Sequence, residues 1–325
     1  MRRNLIFATL FGVTGCLPPW PTVGDSVVEV LSLSCSTRVR AVLQHGDGSM
    51  EDVGAAIEAG TSDAPALMTL VDGDSLTLCK SLPDAVNLQI AASGEVTVEG
   101  PGSGQLALVG AGEGSLVTAT GSGTLTIRGL SLQGGQSSTV AGGLQSNGVS
   151  VVGSDLVFRN NSGLSSGMNV MDAAGLDLSD CSFVSNVGDF GGLSTSRTPI
   201  TLQNVEFANN NGIGGSGGVT MDQGSLTAMG LSIHDTRNND NWSCAMLLSG
   251  VTVDLSDSSL IDNGCGISIN NGTTMTVTNT DFSGNNQTND SPGDPVDVDS
   301  RDAGMQYEYG LGASFTCDAL GVCTP

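Results

Sequence analysis

Basic residues are scarce in this chain of 325 residues: 10 Lys and Arg stand against 33 Asp and Glu, a formal net charge of −23. Nucleic-acid binding needs clustered cations to neutralise phosphates, so that class of partner is excluded. Charged residues make up only 13% of the chain and aromatics 4%. Long helical bundles draw heavily on Ala, Glu, Lys, Leu and Arg, and this composition does not supply them. Histidine occurs twice, at His45 and His234, and no C-x-x-C pair exists, so the spacing of a zinc site is missing. Both His are read as surface or turn residues. Beyond the first sixteen positions, no apolar run approaches the roughly 18 residues of a membrane-spanning helix. What the chain has instead is Gly, at 47 copies, and a hydrophobic content of 38% in short alternating runs. That apolar content argues against disorder.

The N-terminus reads as an address. Met1-Arg2-Arg3 is followed by the apolar run Leu5 to Val13, the layout of a secretory signal. Val13-Thr14-Gly15-Cys16 resembles the bacterial lipobox, which implies cleavage before Cys16 and acylation of that residue. Several acyl chains on one residue give stable anchoring. Leu17 after the Cys points to the outer membrane or cell surface. Removing Arg2 and Arg3 with residues 1–15 would take the net charge from −23 to −25. The short Pro-stiffened tether at 16–27 would hold the body near the membrane.

An internal repeat then decides the fold. Leu132, Phe158, Phe183, Phe207, Ile233, Leu260 and Phe282 follow one another at 26, 25, 24, 26, 27 and 22 residues. Sixteen positions before them stand Gly142, Gly167, Gly191, Gly217, Cys244 and Gly266, and three after them Asn161, Asn186, Asn210, Thr236, Asn263 and Asn285. Units of this length, with short strands and Gly/Asn turns, suit one coil of a parallel β-helix. Such a coil cannot bury its inward residues alone, so like must stack on like at about 4.8 Å. The apolar column is expected inside. The Asn column is expected to take left-handed corners and to bond along the stack, with Gly at close approaches.

The Gly-Gly-aliphatic and Phe-x-x-Asn signatures of residues 129–286 resemble the polymorphic outer-membrane-protein repeat. That repeat belongs to the right-handed parallel β-helix, pectin-lyase-like superfamily. The resemblance implies an all-β, single-stranded right-handed solenoid. The sequence predicts nine or ten coils over residues 28–288, with a short N-terminal capping helix near residues 52–59. Ser49 and Asp52 supply its capping-box spacing. Residues 289–325 are predicted to form an acidic C-terminal cap closed by a disulfide.

Seven cysteines remain after Cys16, in an exported context that favours oxidation. Cys244 and Cys265 lie 21 apart, about one coil, and could bridge stacked rungs. Cys317 with Cys323, and Cys35 with Cys79, are the other candidate pairs, leaving Cys181 as a buried thiol. Asp290, Asp294, Asp297, Asp299 and Asp302 offer oxygen donors that suit Ca²⁺. The plainer reading of them is a solvated acidic loop.

Polysaccharide cleavage would need a base beside acidic residues, or carboxylates at glycosidic spacing. No such constellation is readable, and Arg128, Arg159 and Arg197 stand in no recognisable acidic setting. The sequence therefore reads as a monomeric, non-enzymatic, lipid-anchored surface protein. Its rigid face would serve adhesion, envelope structure or contact with glycans or basic proteins. The alternative is a polysaccharide lyase or glycoside hydrolase.

Overall fold

A computed structural model describes residues 41–58, 67–68, 70–71, 73–79, 88–110, 113–236, 243–271, 273–283 and 285, and the strands 298–300, 315–317 and 323–324. All of them fall within the compact unit Leu33–Pro325. The fold is a parallel β-solenoid, 63% strand with almost no helix. Three faces wind around a common core. The first carries, among others, Val117–Gly121, Leu144–Asn147, Met168–Met171, Leu193–Ser196 and Cys265–Asn270. The second carries Glu95–Glu99, Leu176–Ser179, Ile200–Gln203 and Thr274–Thr278. The third carries Ala107–Val109, Ser182–Val184, Glu206–Ala208, Ser232–His234, Ser259–Ile261 and Asp281–Ser283. The longer strands Thr124–Gln133, Ser150–Arg159, Ser216–Met229 and Cys244–Ser256 each run from one face onto the next. A small side sheet of Ser162–Ser165, Val187–Phe190 and Asn211–Gly212 leads into the first face.

The core is a set of columns. Phe158, Phe183 and Phe207 are fully buried. Their rings stack face to face, with centroids 4.5 and 4.6 Å apart. The asparagine column is buried too, and its amides bond from coil to coil. It does not take the left-handed corners, however. Those fall one residue earlier, at Asn160, Ser185, Asn209, Asp235 and Asp262. The reason is a division of labour: the left-handed residue turns the chain outward, and the next residue can then aim its amide inward. Gly167 shows why the glycines recur. A Cβ there would sit 2.7 Å from the Phe183 ring and against the Gly192 carbonyl of the next coil.

Three expectations need correction. The solenoid has about 7 turns, fewer than nine or ten. Antiparallel end strands flank the second face. Ala41–Gln44 lies against Ser75–Leu78 and Met50–Asp52, and Phe315–Cys317 lies against Thr274–Thr278 and Cys323–Thr324. These strands protect the edges that would otherwise template aggregation. The helix is a single turn, Gly54–Glu58. Its cap is Asp52, whose carboxylate accepts from the Gly54 N–H at 3.0 Å, while Ser49 bonds Asp47 instead.

Candidate functional site

Strand alternation sends every second residue of a face outward. On the second face the outward residues fall into one register: Thr97, Thr126, Val152, Asp177, Thr201, Thr227, Asp254 and Thr276. From Val152 to Thr276 every member is exposed. Beside this row runs a second register containing Thr124 and Ser150, and further along Ser225, Thr252 and Thr274. At strand spacing the first row is about 34 Å long. It presents hydroxyls and two carboxylates, held in place by inward neighbours such as Leu176, Leu202 and Leu255. The Phe and Asn columns dominate the repeat in the sequence and do not mark this row. Its signal is present in Thr124-x-Thr126 and Thr274-x-Thr276-x-Thr278.

The first face behaves differently. Gln145, Asn169, Ser194, Thr220 and Ser268 point outward yet are nearly buried. Asn169 donates its amide to Gln145 Oε1 at 3.1 Å, and the hydroxyls of Thr220 and Ser216 lie 2.9 Å apart. Much of this row's bonding capacity is already used internally. A shallow polar recess at the last coils is lined by Asp257, Ser258, Asn279, Thr280 and Asp281. There too Asn279 already bonds Asp257, at 2.6 Å.

Two basic residues do sit against acids of the neighbouring coil, which the sequence did not reveal. Arg128 bonds Glu99 at 2.6 Å, and Arg197 grips both carboxylate oxygens of Asp172 at 2.6 and 2.8 Å. Asp172 and Arg197 are 25 residues apart, one repeat, and occupy equivalent left-handed corners. The hydrogen bonds from Arg197 hold the Asp172 carboxyl below its usual range, and the same bonds raise the Arg197 guanidinium above its own. Both partners are exposed, and such pairs add little stability.

His234 lies between Glu206 at 3.2 Å and Asp235 at 2.9 Å, and His45 lies in a turn beside Glu51 and Asp74. No group of three or more His, Cys, Asp or Glu among the described residues is placed to hold a metal ion.

The structure joins Cys244 to Cys265 across one coil. Cys79 is disulfide-bonded, and Cys181 is free and buried. Backbone register sets Cys317 opposite Cys323. The predicted signal segment 1–15, the predicted lipidation site Cys16, the expected tether and Cys35 lie outside the described residues, as do Asp290, Asp294, Asp297 and Asp302. Asp299 is placed only as a member of the strand Val298–Ser300, opposite Ser268.

The geometry defines a β-solenoid with a long in-register outward row of threonines and two aspartates, exposed from Val152 to Thr276. No family model matches the chain, and neither the curated proteins nor the solved structures yield a match.

Proposed function

We propose that this is a non-enzymatic binding protein of the bacterial surface, a right-handed β-helix of the pectin-lyase-like kind. In this reading it is held to the outer membrane through a lipid on Cys16 and makes its contacts along the second face. The observation that carries the reading is the outward row from Thr97 to Thr276, in register over successive coils and exposed from Val152 onward. An extended glycan chain offers repeating hydroxyls at a pitch of several ångströms. A rigid row of Thr hydroxyls with Asp177 and Asp254 can bond to it at many points without ordering cost. Each contact is weak in water, and repetition along the axis supplies the affinity. The net charge of −23 favours neutral glycans or cationic partners over anionic headgroups.

The test is incubation of the purified protein with a panel of neutral glycans and polyuronates, with and without Ca²⁺, reading both binding and cleavage products. The expected result is binding without turnover, weakened by Thr201→Lys with Thr227→Lys. Turnover lost on replacing Arg197 would transfer the function to the Asp172–Arg197 corner and make the protein a polysaccharide lyase. Lipidation is tested separately: Cys16→Ser should release the protein from the membrane fraction, and unchanged partition into detergent rejects the anchor.

A further inference from the structure

Three features mark the same place along the solenoid axis. The aromatic stack Phe158–Phe183–Phe207 ends at Phe207, whose partner on the next coil is Ile233. The amide relay Asn161–Asn186–Asn210 ends at Asn210. A second relay starts at Thr236 and runs through Asn263 to Asn285, and no side-chain hydrogen bond joins Asn210 to Thr236. Finally, the two buried side-chain oxygens that lack a partner among the described residues, Thr195 Oγ1 and Asn211 Oδ1, both belong to this last coil.

Thr195 stacks between Val170 and Met221 in a column that continues through Leu248 and Ile269 on one side and reaches Ser146 on the other. Its hydroxyl is buried without a hydrogen-bond partner. Threonine at 236 can give one hydroxyl bond toward Asn263 but has no amide N–H₂ and carbonyl pair to continue the relay in both directions. Backbone pairing continues across the boundary, through Leu193–Ser196, Ile200–Gln203 and Glu206–Ala208, and two side-chain bonds on the outside cross it too, Glu206 with His234 and the Gly212 N–H to Ser243 Oγ. What is interrupted is the interior stacking and the amide relay. Immediately beyond it, Ser216–Met229 and Cys244–Ser256 pair over nearly their whole lengths, and the Cys244–Cys265 bond adds a covalent staple. A solenoid's stability is a sum of coil and nearest-neighbour terms, so a locally weak interface divides it into cooperative blocks.

We infer that the solenoid is two such blocks meeting at a seam between the Asn210 coil and the Thr236 coil. The C-terminal block opens first, and the Cys244–Cys265 bond limits how often it does so. Opening would uncover the strand edges at 193–208, a template able to pair with another strand.

The test is hydrogen–deuterium exchange read by mass spectrometry on the full chain. The double substitution Cys244→Ser with Cys265→Ser leaves the Cys79 disulfide intact. It should speed exchange in residues 244–283 at least tenfold, with residues 144–208 changed less than twofold. Thr236→Asn should rejoin the relay and slow exchange in residues 216–283 at least threefold. Equal acceleration on both sides of the seam in the double variant would overturn the inference, as would no slowing in Thr236→Asn. If the double variant does not fold, the wild-type protein in graded denaturant decides. Two distinct opening transitions divided at the seam support the two blocks, and one shared transition rejects them.

Discussion

Asn186 donates its side-chain amide to Asn210 Oδ1 at 2.9 Å and to the Phe158 carbonyl at 3.0 Å. In return its own Oδ1 accepts both the backbone and the side-chain N–H of Asn161, each at 3.0 Å. One buried amide thus fills the bonding needs of three coils. Buried backbone groups at a corner have no strand neighbour to use, and an amide supplies donor and acceptor from the same side chain. Low dielectric inside the stack strengthens each bond and raises the cost of losing one.

Asn186→Ala removes all four bonds and leaves donors on Asn161 short of a partner. The expected loss is about 3 kcal/mol or more, read as a lowered denaturant midpoint. Asn186→Asp should not rescue it, because a carboxylate cannot donate to the Phe158 carbonyl and would be buried unpaired. Wild-type stability in either variant would show that the relay contributes nothing.

Phe183 lies between two parallel rings and is fully buried. Truncation to Ala should cost about 3–5 kcal/mol through lost burial and an unfilled cavity. Phe183→Leu should be far milder, under about 1.5 kcal/mol, since Leu132 and Leu260 fill the same column in other coils. A similar midpoint shift for both substitutions would contradict the column picture.

The parallel fold and its interior were legible because a solenoid writes its coil length into the sequence. Phe158, Phe183 and Phe207 recur at 25 and 24 residues, and each lies at the same place in its coil. The corner geometry was less legible. Asn161 and Asn160 are both asparagine, and spacing alone does not say which turns the chain and which bonds inward. The exposed row was hidden because outward positions tolerate Thr, Val or Asp equally. Val152 and Asp177 interrupt it, and only strand register shows that Thr126 and Thr201 share one line. The Arg197–Asp172 contact was invisible for a related reason: one repeat of separation gives proximity only once the loop lengths between are known.

Thr195 carries a buried hydroxyl without a partner. Valine has nearly the same shape and removes the unmet bond. Thr195→Val should therefore raise stability by about 1 kcal/mol, in contrast to most core substitutions. A lowered melting temperature would mean that the hydroxyl is satisfied in solution.

Cys181 is the free cysteine among the described residues. Burial pushes its thiol up to about 12, only partly offset by backbone hydrogen bonds at Leu156 and Ser179. A thiolate is the reactive species, so modification at pH 8 should be on the order of a thousandfold slower than for a free thiol. Reaction with a thiol reagent should appear only as denaturant unfolds the chain. Rapid labelling of Cys181 in the native protein would contradict its placement.

His234 offers a charge whose titration reports on the third face. Partial burial pulls its pKa down, but hydrogen bonds to Asp235 and Glu206, and their charges, outweigh this and leave it raised above 6.5. The folded-state value therefore exceeds the unfolded one. The protonated imidazole's contribution is complete below the unfolded value and is lost as pH rises through the folded value. The side chain is about a third exposed, so solvent screens the effect and the change should be small. His234→Gln should lower the denaturant midpoint at pH 5.5, with the gap to wild type closing as pH rises through the folded-state value. A nuclear magnetic resonance titration of the ring should show its midpoint above that of free histidine, near 6.5. A midpoint at or below that value would mean that desolvation matches or outweighs Glu206 and Asp235, and the low-pH gap between variant and wild type should then vanish or reverse.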